Sequence, residues 1–190
     1  MSEDVGAKRQ RVSEDDYFHK KDRELIERMR EAAAADQARR EMGTKTGLTD
    51  PALLGALQEL GFTPATIALL PLVPVVQMAW AEGGVTPAER AMVIELARKR
   101  GVEPGGEADR QLSDWLSLRP DQDVFDGATR LIAAMLATSS EDHGGVNADD
   151  VIRSAEAIAA ASGGILGIGK ISGEERAILT QIQTALRAKK

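Results

Sequence analysis

Apolar and polar residues alternate in two distinct ways along the chain. From Ser13 to about Met42, charged and polar positions dominate. The apolar residues Phe18, Leu25, Ile26, Met29, Ala32 and Ala33 make a thin stripe at helical spacing. From Pro51 onward the apolar fraction rises and breaks into short helical periods. Ala91, Val93, Ile94, Leu96 and Ala97 form one such face. Leu112, Trp115 and Leu116 form a second, and Val124, Phe125, Ala128, Leu131, Ile132, Met135 and Leu136 form a third. No strand-type alternation occurs, so the pattern predicts an all-α fold of seven or eight short helices arranged as helical hairpins. The domain boundaries that follow are a disordered leader over 1–13, a charged amphipathic helical arm over 14–42, a linker over 43–50 and an all-α domain over 51–190.

Punctuation supports these boundaries. Thr49-Asp50-Pro51 opens a short helix that ends at Gly61, and Thr63-Pro64 opens another that Pro71 breaks. Pro74 then sits in the first turn of a helix reaching Glu82. That helix ends in the most informative stretch of the chain, Trp80-Ala81-Glu82-Gly83-Gly84-Val85-Thr86-Pro87-Ala88-Glu89-Arg90. Gly83 or Gly84 can take the positive φ that ends a helix. Thr86 is positioned to cap the next one, Pro87 suits the first helical position, and Glu89 three residues after Thr86 completes a capping box. The same grammar returns in Gly169-Lys170-Ile171-Ser172-Gly173-Glu174-Glu175-Arg176-Ala177, with Ser172 and Glu175 as the box. A looser copy, Gly144-Gly145-Val146-Asn147-Ala148-Asp149-Asp150, has Asn147 as cap.

The apolar helix running into Ala81-Glu82-Gly83-Gly84-Val85-Thr86-Pro87-Ala88-Glu89-Arg90 resembles the signature of TerB-like (tellurite-resistance TerB) domains, over roughly Pro64 to Lys190. The resemblance implies an all-helical fold, a non-enzymatic role in a cytoplasmic stress response, and acidic residues that bind a divalent cation such as Ca²⁺, Mg²⁺ or Mn²⁺. The implied ligands are Glu82 and Glu89 in the first corner and Glu174 and Glu175 in the last. The sequence departs from the family pattern in two places. Glu82 stands where the family has Asp, and Ile168 occupies the matching position of the last corner. Separately, Asp16-Tyr17-Phe18-His19-Lys20-Lys21-Asp22-Arg23-Glu24-Leu25 is similar to the start of an ATPase-inhibitor-type helix. Read from its residues alone, this segment is a charged amphipathic arm.

Composition narrows the choices. Aromatic residues make up 3% of the 190 positions, so the core must be built from Leu, Ile, Val and Ala. A net charge of −6 argues against a general nucleic-acid binder, which needs a basic footprint. The absence of cysteine removes disulfides, thiolate chemistry and cysteine metal sites. The longest apolar run, Ile67 to Trp80, is interrupted by Gln77 and two prolines and falls short of the about 20 residues a membrane span needs. With no signal peptide, the expected compartment is the cytoplasm.

Other candidate chemistry is thinner. Glu141, Asp142 and His143 with Asn147, Asp149 and Asp150 make the densest polar loop, and His143 or Asp142 could supply a ligand. Gly163 to Gly169 is glycine-rich, but Gly169-Lys170 is followed by Ile171, so the loop lacks the Gly-Lys-Ser/Thr ending of a phosphate-binding loop. No nucleophile elbow is present. The alternative to cation binding is a metal-free interaction module in which Glu89 and Glu175 only cap helices and the charged N-terminal helix contacts a protein partner. Its first 42 residues hold 10 of the 24 Lys and Arg, with 11 acids among them.

Overall fold

The computed structural model describes residues 3–137, 147–161 and 171–187, with side chains from His19 onward. Every regular element among these residues is helical. They are α1 (Glu3–Thr46), α2 (Pro51–Glu59), a 3₁₀ segment (Ile67–Leu72), α3 (Val73–Ala79), α4 (Pro87–Lys99), α5 (Glu107–Trp115), α6 (Gln122–Ala137), α7 (Ala148–Ala161) and α8 (Gly173–Arg187). The all-α expectation therefore holds. None of the described helices is long and apolar enough to cross a membrane.

The chain divides into two units, Met1–Arg40 and Glu41–Lys190. In the first, α1 begins at Glu3 and takes in the stretch expected to be a leader. Its described side chains are held by local pairs, Lys21 with Glu24 at 3.5 Å and Arg39 with Asp36, and by Arg23 Nε donating to the His19 carbonyl at 3.1 Å. Each such exposed pair is worth only a few tenths of a kcal/mol (about 0.3–0.5).

The second unit begins inside α1, which runs on through Gly43 and stops at Thr46 rather than giving way to a linker at 43. Met42, fully buried, and Thr46 belong to the core of this unit. Thr46 Oγ1 donates to the Met42 carbonyl at 2.7 Å and accepts from Leu48 N at 3.3 Å, which turns the chain toward α2. Asp50 then caps α2, accepting from Ala52 N at 2.8 Å, with Pro51 at the first helical position as the punctuation predicts.

Between Thr63 and Leu72 the structure departs from the expected α-helix. Residues 64–66 form turns, and Ile67–Leu72 is a 3₁₀ segment with Pro71 inside it. A proline cannot donate the hydrogen bond an α-helix interior demands, and the short, tighter coil tolerates it. Pro74 sits in the first turn of α3, whose seven residues, Val73 to Ala79, are all buried. The helix ends at Ala79 with Trp80 as its C-cap, three residues short of Glu82. Helices α4, α6, α7 and α8 and the 3₁₀ segment all pack on α3. The faces read from periodicity on α4, α5 and α6 largely turn inward: Val93 and Ala97 on α4, Leu112 and Leu116 around α5, and Phe125, Ala128, Leu131, Ile132 and Met135 on α6 are buried, whereas Ala91 at the start of α4 is exposed. The loop after α4 is fastened by Arg98, which bonds Asp109 Oδ1 at 2.5 Å and the Val102 carbonyl at 2.8 Å. Asp109 also accepts from Gly105 N at 2.7 Å.

Two substitutions test this packing. A Cβ at Gly43 would lie 2.8 Å from the Leu48 carbonyl oxygen. Helix propensity alone would favour alanine by about 1 kcal/mol, whereas overpacking against backbone costs about 1–3 kcal/mol. Gly43→Ala should therefore lower stability in urea denaturation, and a gain would show that the contact relaxes freely. Gln77, 4% exposed in the middle of α3, has no side-chain hydrogen bond among the described residues. Gln77→Met should raise the unfolding free energy by about 1 kcal/mol, because a buried amide without a partner costs more than a thioether.

Candidate acidic corners

The first corner forms as its residue types dictate. Gly83, at φ 84°, supplies the left-handed turn, and Gly84 does not. Thr86 is extended (φ −70°, ψ 159°) and its hydroxyl oxygen accepts from Glu89 N at 3.3 Å. Glu89 Oε2 accepts from both Thr86 N and Thr86 Oγ1, each at 2.7 Å, so the capping box is complete. Val85 packs partly buried against the core. The corner is tied to α5 on the same side of the fold. Trp80 Nε1 donates to the Trp115 carbonyl at 2.8 Å, Arg90 donates to the Leu116 carbonyl, and the Trp115 ring meets Phe62 edge-on at 6.2 Å.

The described part of the last corner, from Ile171 on, repeats the capping geometry. Ser172 N donates to Glu175 Oε2 at 2.7 Å, and Ser172 Oγ accepts from Glu175 N at 3.1 Å. At the third, Asn147 Oδ1 accepts from Asp149 N at 2.8 Å, confirming its role as cap of α7. Glu141, Asp142 and His143 and the glycines of 163–169 lie outside the described residues.

The four glutamates named from the sequence separate into two kinds. Glu89 and Glu175 are buried, at 3% and 1% exposure, and each has a carboxylate oxygen committed to its own N-cap. Glu82 and Glu174 are exposed. Among the described residues no three His, Asp or Glu side chains come together as a group able to hold a metal ion. A hard cation wants several oxygens converging on one point, and the described geometry does not gather these four into such a set. To ligate through Oε2, Glu89 would have to give up two charge-assisted bonds, each worth about 1.5–3 kcal/mol.

The depth of Glu89 and Glu175 was the part hidden in sequence. A capping glutamate ordinarily lies at the surface, and only the packing of the corner against its neighbours buries it. Also missed was a cleft rimmed by Lys45, Lys99 and Arg100, three residues distant in sequence whose conjunction no local spacing announces.

Comparison of the chain with protein-family models, curated proteins and solved structures finds no match.

Capping geometry gives a test that separates the two kinds of glutamate. Thr86→Ala should cost about 1 kcal/mol of unfolding free energy, the usual value of an N-cap. Glu89→Ala should cost at least as much, since it leaves both the Thr86 N–H and the Thr86 hydroxyl without their acceptor. Glu82→Ala should stay within about 0.5 kcal/mol of the parent. Urea midpoints for the three variants, measured with and without added Ca²⁺, check this ordering.

Proposed function

We propose that the protein is a non-enzymatic, TerB-like helical interaction module whose N-terminal helix recruits a protein partner. The observation that carries this reading is an exposed apolar stripe on α1. Leu25, Ile26 and Met29 are 50%, 48% and 64% exposed. Their spacing puts them on one side of the helix. Charges of both signs flank them, Asp22, Arg23 and Glu24 before and Glu27, Arg28 and Arg30 among and after. An apolar seam edged by mixed charge is the pattern by which helices recognise helices, the seam giving affinity and the charges giving register. A place in a cytoplasmic stress response rests on the resemblance of the Glu82–Arg90 corner alone. Cation binding draws less support, because the two buried glutamates are engaged in caps.

The experiment is affinity capture from native extract with three baits: the whole chain, the chain beginning at Glu41, and a Leu25→Gln/Ile26→Gln/Met29→Gln variant. The truncation must leave Met42 in place, because Met42 is core. Both altered baits should remain helical and thermally cooperative. A partner bound directly by the whole chain should bind the triple variant at least about tenfold more weakly, the consequence of losing about 1.5 kcal/mol or more of apolar burial. Equal capture by all three baits would overturn the reading. So would failure of the 41–190 chain to fold, since the arm would then be part of the core.

A further inference from the structure

The unit Glu41–Lys190 contains a cleft of about 540 Å³, within the range typical of small-molecule sites. Its floor is apolar, made by Ile67, Ala68 and Met135, and its rim carries Lys45, Lys99 and Arg100. Among the described residues no acidic side chain lines it, although the chain as a whole is acidic, with a net charge of −6. The cleft forms where the last turn of α1, the 3₁₀ segment and the end of α4 meet over α6.

The three cations differ in how far their charge is already met. Lys99 pairs with Glu95 at 2.7 Å on the exposed face of α4. Lys45 Nζ donates to the Pro64 carbonyl at 2.6 Å, a neutral acceptor, and makes no ion pair among the described residues. Arg100 is half-buried, and its guanidinium makes no hydrogen bond or ion pair among the described residues. Burial pulls its pKa below the ordinary arginine value, and the charge of Asp150 opposes this from the neighbouring side. A guanidinium stays protonated under such conditions, so Arg100 is a desolvated cation with spare donors. The C-terminal end of the α4 dipole contributes about half a negative charge nearby, which three formal positive charges exceed.

We propose that this cleft binds an amphipathic monoanion, a carboxylate carried on a short apolar chain. Arg100 offers the planar fork that matches a carboxylate in two parallel hydrogen bonds. Lys45 supplies a second, point-like charge. The apolar floor gives the tail a place that a bare inorganic anion could not use. With Lys99 answered by Glu95 and Arg100 partly answered by Asp150, the charge left over suits one negative charge better than two.

The test uses the full chain and three probes of graded chemistry: sodium octanoate, inorganic phosphate, and octanol, which keeps the tail and removes the charge. Binding is followed by calorimetry and by the chemical shift of the Met135 methyl group, which reports from the floor. Octanoate should bind saturably and shift that methyl, and phosphate and octanol should each bind at least about tenfold more weakly. Arg100→Gln and Lys45→Gln should each weaken octanoate by about tenfold or more at unchanged helicity. The proposal is overturned if octanoate leaves the methyl unmoved, if octanol or phosphate matches it, or if both variants retain parental affinity. Should either variant fail to fold, the ranking of the three probes at Met135 in the parent chain still decides.

Discussion

The second unit depends on keeping α3 wholly out of water. All seven residues of this helix are buried, which is possible only if neighbours cover it on every side. A helix of this length is far too short to persist alone. Its existence therefore rests on α4, α6, α7, α8 and the 3₁₀ segment, each of which packs on it. The palette of the core follows from this arrangement. Val73, Val75, Val76, Met78 and Ala79 present compact or flexible side chains, and small or adaptable residues let helix axes approach closely from several directions at once. The scarcity of aromatic residues is the compositional trace of the same constraint. Of the few that exist, Phe125 is fully buried in the core, while Trp80 and Trp115, only partly buried, join elements, Trp80 donating to the Trp115 carbonyl and Trp115 meeting Phe62.

A buried hub must be entered and left without stranding backbone groups, and the corners solve that problem. The chain leaves α3 through Trp80 and the left-handed Gly83, then starts α4 with Thr86 and Glu89 capping each other. Because these corners sit close to the core, the capping carboxylates of Glu89 and Glu175 are buried with them. A buried carboxylate is tolerable only if its oxygens are hydrogen-bonded, and the capping box provides those bonds. Burial and capping are thus one requirement seen twice. Capping accounts for the acidic residue at Glu89 and at Glu175, whereas Glu82 and Glu174 are exposed and take no part in the boxes.

Much of this was legible in the sequence, and the misses share a physical cause. Caps are local: Asp50, Thr86, Asn147 and Ser172 act on backbone two or three residues away, so their roles could be read from spacing. The inward faces of α5 and α6 were legible for a similar reason, since helical periodicity survives in any window of a dozen residues. What eluded local reading was set by distant contacts. Gly43 looked like the start of a linker, yet it lies within α1, where its lack of a side chain admits the Leu48 carbonyl. Pro71 looked like a helix breaker, yet the 3₁₀ segment absorbs it because the packing around α3 demands a continuous coil there. The acidic corner residues could be listed from sequence, but whether they converge is a question of tertiary geometry, and the described residues do not bring three of them together.

The same distinction separates the two surfaces to which function is assigned. The stripe on α1 is a local feature, since Leu25, Ile26 and Met29 share a side by helical geometry alone, and it was visible as a pattern before any fold was known. The cleft is the opposite case. Lys45 ends one helix, Arg100 ends another, and Met135 belongs to a third, so no sequence window contains them together. Its chemistry arises where the ends of α1 and α4 meet the 3₁₀ segment. The last turn of α1 and the end of α4 meet at a shared edge, and both helix ends carry basic residues, as helix C-termini favour. Cations that individually complement a dipole thereby become a cluster around an apolar floor. A site with the character of an anion receptor can thus appear on an acidic protein as a by-product of how its helices must terminate, and Arg100, half-buried and without an ion pair among the described residues, is the member of that cluster with the most to gain from a ligand.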